Sequence, residues 1–113
     1  MATFRLMSYQ VNGFRTCSGE TKPALAAGVI VSQRPDLVML QQFGSPIVAG
    51  TLQEFSSRVG LQPFGPDDEG ACSFLSRFPL HNLQEFALGY GGRCVRADLD
   101  FKNERVHLFN LCL

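Results

Sequence analysis

The side chains best suited to chemistry in this chain are two histidines, four cysteines and a pair of adjacent amides. His81 and His107 are the groups able to exchange protons near neutral pH. Cys17, Cys72, Cys94 and Cys112 could serve as nucleophiles or metal ligands. No C-x-x-C spacing joins them, so a zinc site built from them with His81 or His107 has no support in the spacing. Cys72, Cys94 and Cys112 fall in segments that read as strands, where buried free thiols are the expectation. Cys112 with His107 as a nucleophile and base fails on geometry. The two are five residues apart on one strand, so they face opposite sides of a sheet. The amides are Gln41 and Gln42, which close the run Asp36-Leu37-Val38-Met39-Leu40-Gln41-Gln42-Phe43.

That run is the element that must position the amides. Pro35 precedes it and Gly44 follows it. Its large apolar residues predict a strand buried on both faces, and such a strand sits centrally in a sheet. Gln41 and Gln42 then lie at the C-terminal rim, where open α/β sheets place ligands. The plainer alternative is a core strand with a solvated polar end. Upstream, Phe4 to Val11 predicts a strand closed by the turn signal Asn12-Gly13. Pro23 suits the first turn of a helix, and Ala24 to Arg34 carries Leu25, Val29 and Ile30 at helical spacing until Pro35 ends it. Strand, helix, strand predicts parallel pairing of the first two strands through a right-handed crossover.

Beyond the loop from Gly44 to Gly50, Thr51-x-x-Glu54 reads as a capping box. Leu52, Phe55 and Val59 predict a short amphipathic helix that ends at Gly60. Gly65 to Gly70 is a polar loop. Strands are then expected over Ala71–Arg77, Leu83–Leu88, Arg93–Phe101 and Arg105–Leu113. Their connections at Pro79–Asn82, Gly89–Gly92 and Lys102–Glu104 are of hairpin length. Val95, Ala97, Leu99 and Phe101 alternate with Cys94, Arg96, Asp98 and Asp100, which predicts one buried face.

The bulk properties bound these readings. A chain of 113 residues suits one domain with a single core. Ten basic and ten acidic residues cancel, so no electrostatic footprint for nucleic acid is visible. A hydrophobic content of 45% argues against disorder. No apolar run reaches membrane-spanning length and no signal-peptide pattern opens the chain, so a soluble, cytoplasmic protein is the expectation.

Four segments then carry a resemblance. In order they are Ser8-Tyr9-Gln10-Val11-Asn12-Gly13, Pro35 to Gln42, Phe74-Leu75-Ser76-Arg77-Phe78-Pro79-Leu80, and Val106-His107-Leu108-Phe109-Asn110-Leu111-Cys112-Leu113. Together they resemble the N-terminal half of the endonuclease/exonuclease/phosphatase (DNase I-like) superfamily. Its members are divalent-metal-dependent phosphodiesterases and phosphomonoesterases. The resemblance covers essentially the whole chain, residues 1–113, as a single half-domain. It implies an α/β fold: half of a four-layer αββα sandwich, with one mixed β-sheet and helices on one face. The inner face of that sheet would be bare. A second copy about a two-fold axis would cover it across ~10 Å, so the expected partner is the chain itself, as a homodimer.

The resemblance also marks the departures. It places Gln10, Asn12 and Cys112 at catalytic positions and Gln42 at the metal position. The family has Asn where this chain has Gln10, the Mg²⁺-binding Glu where it has Gln42, and His where it has Cys112. Asn12 is either a turn residue or a polar group kept at the rim. Ser76 and Arg77 match a segment that is mainly structural in the family, with Arg77 as the candidate phosphate contact. Gln42 would offer Mg²⁺ a neutral carbonyl instead of a carboxylate. Gln10 is a methylene longer than Asn, and a misplacement of about 1 Å can cost on the order of a hundredfold in rate. The family's second-half motifs, which supply its general base, do not occur before Leu113. No cofactor is expected, with Mg²⁺ needed only if hydrolysis persists. The leading expectation is a catalytically silent half-domain that self-associates. The alternatives are a Mg²⁺-dependent phosphodiesterase or phosphatase, and a module that binds a phosphate ester without hydrolysing it.

Overall fold

The computed structural model describes residues 4–44, 50–66, 68 and 70–112. Strand β1 (Leu6–Gln10) leads through a 3-10 turn at Asn12–Phe14 into helix α1 (Pro23–Gln33). Strand β2 (Leu37–Gln41), helix α2 (Leu52–Val59) and strand β3 (Gln62–Phe64) follow. The remaining strands are β4 (Ser73–Ser76), β5 (His81–Gly89), β6 (Gly92–Phe101) and β7 (Glu104–Cys112). Leu113, residues 45–49, Asp67 and Glu69, which the sequence reading placed in a strand end and two loops, lie outside the described residues.

The strands form two sheets, one ordered β1-β2-β4-β3 and one ordered β5-β6-β7. β1 and β2 run parallel, from Leu6 opposite Leu37 to Gln10 opposite Gln41, as a strand–helix–strand unit requires. β4 is antiparallel to β2, and β3 is antiparallel to β4. β2 is an interior strand, and Leu37, Val38 and Leu40 have no exposed surface. The short edge strand β3 has no counterpart in the sequence reading. It contains Pro63, which cannot donate to a ladder and so reads against a strand everywhere except an edge.

Each side of the first sheet faces its own core. On the helix side, Val38, Leu40 and Leu75 pack with Ala26, Ala27 and Ile30 of α1 and with Leu52 and Phe55 of α2. Phe14 bridges this core, with ring centroids 5.2 Å from Phe43 and 4.7 Å from Phe55. On the other side, Leu37 and Phe74 pack against Val95, Ala97, Leu99 and Leu108 of the second sheet. A second group of rings, Phe4, Phe78 and Phe101, closes one end of this interface.

The layers are therefore helix, sheet, sheet: the first sheet is mixed with both helices on one face, as expected, while its other face is not bare but covered by the second sheet. The connection after β4 is short, but it is not a hairpin. The chain crosses at Arg77–Leu80 from the first sheet to the second, which then covers the apolar face. The inner face of the first sheet, through which a homodimer was expected, is covered in this fold by the second sheet. The other two short connections are hairpins. Tyr90-Gly91 and Lys102-Asn103 have positive φ at both residues (52° and 79°, 52° and 67°), the conformation that a two-residue turn needs to follow the strand twist.

The helix termini follow local chemistry. Thr51 Oγ1 accepts a hydrogen bond from the Glu54 backbone N–H at 3.1 Å, and Gly60 ends α2 in the left-handed conformation. In α1 the buried side is Ala26, Ala27 and Ile30, while Leu25 and Val29 are exposed at 59% and 45%. That corrects the expected apolar stripe. α1 is apolar around most of its circumference, so spacing alone could not choose its face. The thiols are corrected as well. Cys72 and Cys112 form a disulfide with Cα atoms 6.2 Å apart, joining the start of β4 to the end of β7. Cys94 is free and buried, and Cys17 is free and exposed.

An uncharged cleft at the strand ends: the candidate functional site

The C-terminal ends of β1 and β2 meet the C-terminal end of β7. Register decides who faces whom: Gln10 lies opposite Gln41. The backbone then turns sharply at Gln42, whose φ is 56°. The Gln42 carbonyl accepts from the Gly13 N–H at 2.8 Å, which fixes the turn. The result brings the Gln42 side chain back to Gln10, whose Nε2 donates to Gln42 Oε1 at 2.9 Å.

Asn110 ties the cleft to both sheets. It is 1% exposed, and its Nδ2 donates to Leu40 O and Ser73 O, each at 2.9 Å. Both donors are thus committed to carbonyls of the first sheet. Its Oδ1 accepts from Gln41 Nε2 at 2.7 Å. Gln41 Nε2 lies also 3.1 Å from Met39 O and 3.2 Å from Ser8 Oγ. The network therefore orients its amides without ambiguity.

These residues line a cleft of about 300 Å³. Ser8, Gln10, Gln41, Gln42 and Asn110 supply its polar wall, and Met39, Phe109, Leu111 and Cys112 the rest. No carboxylate, imidazole, ammonium or guanidinium lines it. Mg²⁺ prefers carboxylate ligands and dehydrates reluctantly. The donor set here is neutral amides and a hydroxyl, and it does not fit that ion. Among the described residues no cluster of three or more His, Cys, Asp or Glu stands ready for a metal.

The structure gathers some of the sequence-derived candidates and separates others. Gln10, Gln42 and Cys112 share the cleft, but Cys112 is there as half of a disulfide, without a free thiol. Asn12 sits in the 3-10 turn with a φ of 51° and does not line the cleft. Arg77 lies at the opposite end of β2, its Nε 3.4 Å from Asp36 Oδ1. Ser76 is buried beside it, and its Oγ accepts from the Phe78 N–H at 3.0 Å. His107 faces away from the cleft, as the strand alternation requires, with Nδ1 2.7 Å from Asp98 Oδ1. Sequence reasoning missed Asn110 and the structural part of Ser8. A signal existed for Asn110: it falls between Leu108 and Cys112 on the inward face of β7, where a polar residue must find partners.

A second polar cluster lies on the outer face of β5–β7. Asp98 is 2% exposed and accepts from Asn82 Nδ2 at 3.0 Å and from Arg96 Nη2 at 3.4 Å, besides its contact with His107. A register shift between His81 and Gln84 brings Asn82 into range. The hydrogen bond from His107 first, then that from Asn82, lowers the Asp98 carboxyl to about 2.

No protein-family profile matches the chain, and no curated protein matches it in sequence. Solved structures do match in fold. An endonuclease/exonuclease/phosphatase from Beutenbergia cavernae superposes with a TM-score of 0.74 at 14% identity, over 97% of this chain and 38% of that one. A humanized D. rerio TDP2 gives 0.72 at 18% identity, over 94% and 48%. TDP2 from C. elegans gives 0.68 at 15% identity, over 97% and 35%. The fold is a partial endonuclease/exonuclease/phosphatase fold, spanning less than half the length of these three structures.

Proposed function

We propose that this chain is a catalytically silent version of the phosphoesterase fold, acting through association and not through hydrolysis. The observation that carries the reading is the hydrogen bond from Gln10 to Gln42, at 2.9 Å, in a cleft without an ionisable group. In the resembling family Gln42 stands in place of the Mg²⁺-binding Glu. Here that position offers only an amide oxygen, already engaged by Gln10. The protein-borne parts of an in-line attack by water, a base and an electrostatic clamp, have no source in this lining.

Association rests on the outer face of the second sheet, where Phe86, Leu88, Phe109 and Leu111 are 44%, 44%, 55% and 49% exposed. Arg96, Arg105, Asp98 and Asp100 neighbour them, so the face carries both signs of charge and suits a second copy of itself.

Two measurements test the reading. Calorimetric titration with Mg²⁺, together with an assay on bis(p-nitrophenyl) phosphate, is expected to show neither saturable binding nor turnover above buffer. Metal-dependent turnover would overturn silence. Sedimentation at micromolar concentration is expected to show a dimer indifferent to Mg²⁺, which Phe109→Glu converts to a folded monomer. A monomeric parent chain would overturn association. The fold itself favours a second reading, a Mg²⁺-dependent phosphodiesterase, and the same assay decides between the two.

A further inference from the structure

We infer that the groove between α1 and α2 is a docking site for an acidic amphipathic helix of a partner protein. The inference does not rest on the silence of the cleft. It concerns the helix layer, on the other side of the molecule from the exposed face of the second sheet. It starts from the composition of α1. None of its 11 residues is charged, and only Ser32 and Gln33 are polar. A helix on a protein surface turns charged and polar residues to water, and one that is apolar all round is normally covered. In α1 only Ala26, Ala27 and Ile30 are buried, while Leu25, Val29 and Val31 remain exposed.

A groove runs beside this surface. Its first part, about 510 Å³, is lined by Ala24, Ala27, Gly28, Val31, Ser32 and Arg58. Its second part, about 220 Å³, shares Val31 and adds Arg34, Val59, Leu61 and Arg77 among others. The groove is open at Gly28, where a Cβ would meet no atom within 4 Å. Its floor is apolar and the charge along it is of one sign, since no carboxylate lines either part. Glu54, a turn before Arg58 on α2, directs its carboxylate toward Gly50 instead. Arg77 is paired with Asp36. Arg34 and Arg58 have no ion-pair partner among the described residues. Arg34 also ends α1 in the left-handed conformation, with a φ of 50°, a place that glycine or asparagine takes at less cost.

These features select the occupant. Cations beside an apolar floor complement a ligand whose apolar stripe is flanked by carboxylates. Shape favours a helix over a lipid surface. A bilayer is flat on this scale and would rest on the exposed Leu25 and Val29 while leaving the groove empty. A helix is about 10 Å across and settles its ridges between those of two others. α1 spans about 16 Å, so the partner would present anchors at i, i+3 or i+4 and i+7.

The test is an anisotropy titration of the full chain into a fluorescein-labelled helical peptide of about 18 residues, with leucine at i, i+3, i+4 and i+7 and glutamate on the other faces. It is expected to bind saturably, with a Kd of about 10 μM or tighter, and to weaken with added salt. The same peptide with lysine for glutamate is expected to bind about tenfold more weakly or worse. Arg34→Glu and Arg58→Glu should each weaken the glutamate peptide about tenfold. Gly28→Leu fills the groove and is a better helix former, so binding should be lost with an unchanged or raised melting temperature. Absence of saturable binding, equal binding of the lysine peptide or full binding by Gly28→Leu would each overturn the inference. Release of the bound peptide by phosphatidylserine vesicles would assign the surface to lipid, and a parent dimer that Gly28→Leu dissociates would assign it to a second copy; either overturns it too. Phe109→Glu is expected to bind the peptide like the parent chain, so failure of the groove and failure of association through the second sheet are told apart.

Discussion

Asn110 shows how much one side chain can decide. It sits at an inward position of β7 that otherwise alternates apolar residues, and it spends its amide on two carbonyls of the facing sheet. Asn110→Ala leaves Leu40 O, Ser73 O and the Gln41 amide without that partner. Unfolding by denaturant is expected to show a loss of about 2–4 kcal/mol. Asn110→Asp keeps the shape and replaces the two N–H donors with an acceptor, so it is expected to destabilise at least as much. Asp98 makes a different prediction. Its folded pKa is lowered from 3.8 to about 2. A depressed carboxylate contributes stability that is fully present above its unfolded pKa and is lost as pH falls through the folded one. Stability should therefore decline between about pH 4 and pH 2. Asp98→Asn should flatten part of that decline. Asp68 and Asp100, lowered chiefly by hydrogen bonds from Arg93 and Arg105, account for more of it.

At the scale of elements, α1 offers the sharpest contrast. Ile30 has no exposed surface and touches the first core, while Leu25 is 59% exposed. Ile30→Ala is expected to cost about 2–5 kcal/mol. Leu25→Ala is expected to stay within about 0.5 kcal/mol, because an exposed site loses little burial. Equal effects in thermal or denaturant unfolding would mean that the helix is rotated from this register. α2 depends instead on its end. Thr51→Ala removes the acceptor for the Glu54 N–H and is expected to cost about 1 kcal/mol.

For the whole molecule, the disulfide and the second sheet act together. The bond between Cys72 and Cys112 spans a separation of 40 residues and ties the two sheets beside the cleft. Closing such a loop restricts the unfolded chain, a contribution of about 2–4 kcal/mol. Thiol titration in denaturant should find two reactive thiols, Cys17 and Cys94, before reduction and all four after it. Reduction should lower the melting temperature, and Cys112→Ser should show the lower value from the start. The inter-sheet core changes what an oligomer could mean. With the inner face of the first sheet covered by Leu99, Ala97 and Val95, the proposed association falls to the exposed apolar patch around Phe109 on the outer face of the second sheet.

The sequence by itself determined the order and type of most elements, because the physics there is local. Pro23, Pro35, Thr51 and Gly60 set helix ends, alternation marked the one-sided strands, and the apolar run from Leu37 to Leu40 could only be an interior strand. It also placed Gln41 and Gln42 at the C-terminal rim, and the structure brought Gln10 to the same rim, opposite Gln41. What only the tertiary structure decided depended on contacts between segments far apart in the chain. The partition of the strands into two sheets, the buried side of an all-apolar helix, the pairing of Cys72 with Cys112 and the anchoring of Asn110 across the interface have no period and no spacing to announce them. Each is chosen by the packing of one sheet face against another, and a one-dimensional pattern does not carry that information.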